Sequence, residues 1–173
     1  MRDLYIILDT SGSIDVGGVH KIAQVNDLIR ELLACVEGES AATNLIIYSD
    51  IPRIYWESRS KEIFRDIPEN EFDGRSNLGK AYTFVKDMIV YNSKSLKDVC
   101  LVLISDGQAT DNYLVHLLEL DPKKESTRVA GALSVYRDTL EAHVAGIGEI
   151  FTDLTSVNGR TDFIEAILEQ LKK

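Results

Sequence analysis

At 173 residues, 45% hydrophobic and 27% charged, the chain has the size and composition of one globular domain that needs neither disulfides nor a structural metal to build a core. Its 28 acidic residues outweigh 19 basic ones, for a formal net charge of −9, which argues against nucleic acid and anionic membranes as main partners because both reward basic patches. The longest apolar run, Val99 to Ile104, falls far short of the ~20 residues a membrane span needs, so no membrane insertion is expected.

Taken in order, short apolar runs alternate with helical patterns. Leu4 to Leu8 reads as a first strand. Ile22, Val25, Ile29, Leu32, Leu33 and Val36 fall at helical spacing and predict a helix over roughly 19–36. Leu45 to Tyr48 is a second strand, and the turn-like Ser49 to Pro52 separates it from a short third run, Arg53 to Glu57. Two strands so close must pair antiparallel, because a parallel return needs a crossover of a dozen residues or more. Pro52 fits a turn or an edge strand. Leu78, Ala81, Tyr82, Val85, Met88 and Ile89 predict the next helix, and Val99 to Ile104 the next strand.

The last third is read as a short helical turn over Tyr113 to Leu120, ended by Asp121-Pro122. A helix through Val129, Ala132, Leu133, Tyr136 and Leu140 and a weaker strand over His143 to Ile147 follow. A final helix carries Phe163, Ile164, Ile167, Leu168 and Leu171, with Thr161 or Asp162 as its N-cap. Continuous rather than alternating apolar strands imply a sheet covered on both faces. The expected fold is one α/β domain over 1–173: a doubly wound, mostly parallel sheet with one antiparallel edge strand and helices on both faces. Cys35 and Cys100, without metal-ligand spacing, are expected to be small core residues, which favours a reducing compartment.

In open α/β sheets ligands bind beyond the carboxyl ends of the strands, where strand order reverses. Asp9-Thr-Ser-Gly-Ser13 follows the first strand, Ser105-Asp106-Gly107 follows the Val99 strand, and Asp73-Gly-Arg-Ser-Asn-Leu78 leads into the second helix. Asp9 and Asp106 supply carboxylates there, and Ser11, Ser13 and Ser76 supply hydroxyls. If the strands ending at the two aspartates are neighbours, their backbones lie ~4.8 Å apart. Two carboxylates so close repel each other, and a divalent cation removes that cost. Hard oxygen donors with only two carboxylates suit Mg²⁺, with Mn²⁺ or Ca²⁺ as alternatives, and no His or Cys pair suggests zinc. Gly12 and Gly107 would let the backbone turn tightly.

Each segment alone has an ordinary reading: a polar loop at Asp9 to Ser13, a common turn pair at Asp106-Gly107, a helix N-cap at Ser76 or Asn77. Together, at one edge of a sheet, they are harder to dismiss. Asp15 and Asp73 are expected to be solvated loop carboxylates, and Asp50 part of a turn. Tyr48, Tyr55 and Trp56 read as packing residues before partner anchors. Gly146-Ile-Gly148 lacks the third glycine of a dinucleotide fingerprint and reads as a strand-end turn.

The set Asp9-x-Ser11-x-Ser13, Ser76 before a helix and Asp106 after a strand resembles the metal-ion-dependent adhesion site of von Willebrand factor A domains, in order and spacing over nearly the whole chain. The resemblance implies the doubly wound fold and a divalent cation approached by these five residues, directly or through water. It also implies a partner protein whose Asp or Glu completes the shell. The family usually has Thr where this chain has Ser76, and a small residue where it has Arg75. A short domain without a secretion signal resembles the bacterial intracellular members associated with tellurite resistance and stress responses. A cytoplasmic location is therefore expected, for a whole protein or a domain of a longer one. No catalytic residue and no enzyme activity are expected. The alternatives are a Mg²⁺-dependent phosphohydrolase, for which Ser11 stands where a second aspartate is usual, and a structural subunit with a vestigial site.

Overall fold

The computed structural model describes residues 1–15, 19–60, 62–133, 137–154 and 156–173. β1 (Asp3–Asp9), β2 (Ala42–Tyr48) and β4 (Val99–Ser105) are buried along their whole length, which explains their unbroken apolar sequences. They join β3 (Arg53–Glu57), β5 (Thr127–Ala132) and β6 (Glu149–Phe151) in one six-stranded sheet of order β3-β2-β1-β4-β5-β6. All pairs are parallel except β2 with β3, whose register shifts between Leu45 and Ile46. The half-exposed β3 forms the expected antiparallel edge. The chain winds outward from β1 to β3, then restarts at β4 on the other side of β1, so strand order reverses between β1 and β4.

Among the described residues six α-helices accompany the sheet: α1 (Gly12–Asp15), α2 (Val19–Val36), α3 (Leu78–Tyr91), α4 (Tyr113–Leu120), α5 (Asp138–Val144) and α6 (Val157–Lys172). Side chains alternate across a strand, so β1 builds two cores. Leu4, Ile6 and Leu8 pack with α2 and α6 on one face. Tyr5 and Ile7 pack with α3, α4 and α5 on the other. Among the described residues no helix is long and apolar enough to cross a membrane.

In the last third the expected helix over Tyr113 to Leu120 is α4 and the final helix is α6, but the elements between them differ from expectation. The helix expected through Val129, Ala132, Leu133 and Leu140 is instead strand β5, followed by α5; Tyr136 lies outside the described residues. Val129 to Ala132 is an apolar run of small residues whose neighbours enter opposite cores, Val129 one and Ala130 the other. Helical spacing and a buried strand were both compatible with it, and pairing in register with Cys100 to Ser105 decides. The strand expected over His143 to Ile147 is the end of α5 and the turn after it. Ala145 and Gly146 take left-handed conformations (φ 47° and 75°) that stop the helix. The Gly146-Ile-Gly148 turn therefore follows a helix and leads into β6. The last helix begins earlier than expected, capped by Ser156, whose hydroxyl accepts the Gly159 amide at 3.0 Å, and not by Thr161 or Asp162. Cys100 is buried as expected, but Cys35 lies exposed on α2.

Candidate metal site

The reversal point puts the ends of β1 and β4 side by side, with Leu8 opposite Ile104. Asp9 ends β1 fully buried, and Asp106 follows β4 nearly so. The Asp9 carboxylate is held from four sides. Its Oδ1 accepts the Ser11 amide at 2.9 Å. Its Oδ2 accepts hydroxyls from Ser105 at 2.8 Å, Ser76 at 2.9 Å and Tyr48 at 3.2 Å. Burial raises the Asp9 pKa above the ordinary carboxylate value, the bonds from Ser11 and Ser105 oppose the rise, and the charge on Asp106 adds to it. Burial also drives the Tyr48 phenol well up, so that side chain stays a neutral donor.

Three loops converge here. The first turns into α1 immediately after β1, with Ser11 buried, Ser13 exposed and their hydroxyl oxygens 3.0 Å apart. The Gly12 amide bonds the Gly74 carbonyl at 3.1 Å, joining this loop to the second. In the second loop Ser76 is buried against Asp9, and in the third the Asp106 Oδ1 accepts the Gln108 amide at 3.0 Å. Gly107 is left-handed (φ 85°), the conformation that makes glycine useful there. Gly12 opens α1 instead and is not among the positive-φ glycines. Asp9, Ser76 and the Ser11–Ser13 pair are thus linked by direct bonds or backbone, and Asp106 reaches them by its charge on Asp9 and by strand adjacency.

Two members were not singled out from the sequence. Ser105 was read only as part of the Ser-Asp-Gly turn, yet its hydroxyl makes the shortest of the bonds to Asp9 while accepting the Gly107 amide at 3.0 Å. Tyr48 was read as a packing residue, and it is fully buried, but it pairs directly opposite Asp9 in the β1–β2 register. The parallel register was the signal that could have placed it. Asp73 and Asp50 are exposed, Asp73 bonding the Gly74 amide at 2.7 Å and Asp50 sitting in the turn after β2. The Asp15 side chain lies outside the described residues. Tyr55 and Trp56 pack half-buried along β3, their polar tips bonded to the Asp66 and Glu62 carbonyls.

Among the described residues no group of three or more His, Cys, Asp or Glu side chains is placed to hold a metal. The fit of a cation therefore rests on the donor chemistry of a two-carboxylate site. A hydroxyl that donates its proton to a carboxylate keeps lone pairs for a cation. Ser76 is so disposed, whereas Ser105 already accepts an amide. Two carboxylates and three hydroxyls, all hard oxygen, match the requirements of Mg²⁺ or Mn²⁺, which leave part of the shell to water and outside ligands.

Residues 3–170 match the family model of the von Willebrand factor type A domain. No curated protein sequence matches the chain. Among solved structures, a von Willebrand factor type A protein from Catenulispora acidiphila superposes with TM-score 0.72 at 12% identity, covering 98% of this chain and 42% of that one. Proximal thread matrix protein 1 from the mussel byssus, with a zinc-occupied MIDAS motif, gives 0.66 at 12%, covering 98% and 48%. The manganese-loaded TRAP protein of Plasmodium vivax gives 0.68 at 14%, covering 95% and 73%. The chain thus spans less than half the length of the first two. At these identities the likeness is one of fold.

Proposed function

The chain belongs to the von Willebrand factor type A family, and from that premise we propose that its carboxyl-edge loops form a divalent-cation-dependent protein-binding site, with Mg²⁺ as the cation. The observation that carries the reading is the buried Asp9 carboxylate, bonded by the hydroxyls of Ser76, in the loop before α3, and Ser105, at the end of β4, with a second aspartate following β4. Asp9, Ser11, Ser13, Ser76 and Asp106 are the residues that would hold the cation. Bound there, the cation would supply a positive charge to pair with an acidic side chain of the partner.

The chain's own residues prepare that site. Ser105 and Tyr48 fix the Asp9 carboxylate from within the fold. Ser76 turns its proton inward to the same oxygen and so leaves its lone pairs free to face away. Ser11 and Ser13 bring their oxygens to the same loop. Two of the structurally similar proteins are described as zinc-occupied at a MIDAS motif and manganese-loaded, which supports a divalent cation without selecting Mg²⁺. The arrangement works by electrostatic pairing and requires no nucleophile or proton transfer.

The test is capture of partners from cell lysate by the immobilised chain in Mg²⁺, in EDTA and with Asp9→Ala, alongside Mg²⁺ and Mn²⁺ titrations of both chains. We expect cation binding, and a protein partner, that both disappear in Asp9→Ala, the partner disappearing in EDTA as well. Capture indifferent to EDTA and to the substitution would place recognition on another face.

A further inference from the structure

Helix α3 begins at Leu78, two residues after Ser76, and its first-turn amides need acceptors. The residue in the N-cap position is Asn77, and its side chain makes no cap bond. That side chain is engaged elsewhere: its Nδ2 donates to the Asp50 carbonyl at 3.2 Å, and its Oδ1 accepts the Thr110 hydroxyl at 3.2 Å. The cap comes instead from the loop after β4. Asp111 Oδ1 accepts the Gly79 amide at 3.0 Å and Asp111 Oδ2 accepts the Lys80 amide at 3.3 Å. These are the second and third helical amides, which an N-cap side chain usually serves. The negative charge also suits the positive end of the helix dipole.

Thr110 completes the joint, its amide donating to the Ser76 carbonyl at 2.8 Å and its hydroxyl to the same carbonyl at 3.1 Å. Close approach is possible because residue 79 is glycine. A Cβ there would come within 2.9 Å of Asp111 Oδ2 and 2.5 Å of His116 Cδ2. The loop that carries Asp106 is thereby tied to the loop that carries Ser76.

We propose that Asp111 is a positioning residue of the metal site: by capping α3 from the Asp106 loop it relieves Ser76 and Asn77 of that task and leaves the Ser76 hydroxyl turned to Asp9. Without the carboxylate, the exposed amides compete for the nearest local acceptors, and Ser76 Oγ is one of them. Asp111 acts through Ser76 and is not itself a ligand. This inference rests on the cation-site reading above.

The experiment is a Mn²⁺ titration of the full chain, paired with thermal melting in EDTA, on wild type, Asp9→Ala, Asp111→Ala, Asp111→Asn and Ser156→Ala. Ser156→Ala is the control, since it removes the equivalent cap of α6, away from the site. We expect Asp111→Ala to weaken Mn²⁺ binding ~10-fold or more, the size usual for residues that orient ligands. Asp111→Asn, which keeps one acceptor oxygen, falls between Asp111→Ala and wild type. Ser156→Ala melts lower and binds Mn²⁺ as wild type does. Unchanged affinity in Asp111→Ala, or an equal loss in Ser156→Ala, overturns the proposal. Should Asp111→Ala not fold, Asp111→Asn decides, and wild-type affinity there overturns it. Failure of the wild type to bind, or binding that survives Asp9→Ala, overturns the cation reading and this proposal together. Binding that needs Asp9 but not Asp111 overturns this proposal alone.

Discussion

A serine hydroxyl has one proton to give and two lone pairs to offer, and at Ser76 the proton is committed to Asp9. The side chain therefore serves twice, as a donor that steadies a buried carboxylate and as the oxygen proposed to meet the cation. Removing it should be felt in both roles. Ser76→Ala is expected to weaken Mn²⁺ binding ~10-fold or more, and in EDTA to cost about 1–3 kcal/mol, the range for a hydrogen bond lost to a buried charged group. Ser76→Thr, the residue usual in the family, keeps the hydroxyl and should bind as wild type does. Isothermal titration and urea melts of the two variants separate these effects; equal binding in Ser76→Ala would remove Ser76 from the set. At this scale much of the arrangement was legible, because Asp and Ser after apolar runs mark themselves. Tyr48 and Ser105 were not, since a Tyr ending a strand and a Ser opening a turn have ordinary roles until the β1–β2–β4 register sets them against Asp9.

Elements are read from periodicity, and periodicity is informative in proportion to length. α2, with eighteen residues, and α3, with fourteen, carry enough turns for their apolar stripes to be read directly. β5 has six residues, four of them Val129-Ala-Gly-Ala132, too few to distinguish 3.6 from 2. Its identity comes from pairing with β4, a non-local fact. The seven-residue α5 is equally brief, and what ends it is backbone conformation rather than pattern. Ala145 is held at φ 47°, ψ 35°, with its amide bonded to the Glu141 carbonyl. A non-glycine residue there carries left-handed strain of about 1–2 kcal/mol, and glycine relieves it at an unfolded-chain entropy cost of about 0.4–1 kcal/mol. Ala145→Gly is therefore expected to stabilise the domain by about 0.5 kcal/mol, read as a rise of a degree or two in melting temperature. A fall would mean that the entropy term dominates at this turn.

Across the whole molecule, the half of the sheet remote from the β3 edge is braced by a buried polar cluster. Arg128 on β5 donates to Asp121 Oδ2 and to the His143 carbonyl, both at 2.8 Å. The His143 ring Nδ1 lies 2.9 Å from the Tyr82 hydroxyl on α3, and its Nε2 lies 3.4 Å from the Leu101 carbonyl on β4. A neutral ring that donates from Nε2 and accepts at Nδ1 satisfies both neighbours. Burial, helped by the Arg128 charge and opposed by the bond to Leu101, lowers the His143 pKa to about 3. The folded value thus lies below the unfolded 6.5, so the fold selects the unprotonated ring. Its contribution is complete above pH 6.5 and is lost as pH falls from 6.5 toward 3, at up to ~1.4 kcal/mol per unit. Asp121, whose pKa is lowered mainly by Ser126 and Arg128 against its own desolvation, adds an acid loss only below its ordinary 3.8. From 6.5 down to about 4 the His143 loss is therefore separate from that of Asp121, and the comparison with a variant separates it from the raised pKa of Asp9. Urea unfolding at pH 7 and pH 4.5 should show the wild type losing about 2–3 kcal/mol more than His143→Gln, which keeps an acceptor for Tyr82 but cannot be protonated. Every other ionisable group is common to both chains and cancels in the difference. Equal losses in the two chains would assign the acid sensitivity elsewhere and leave the Arg128 cluster as pH-indifferent bracing.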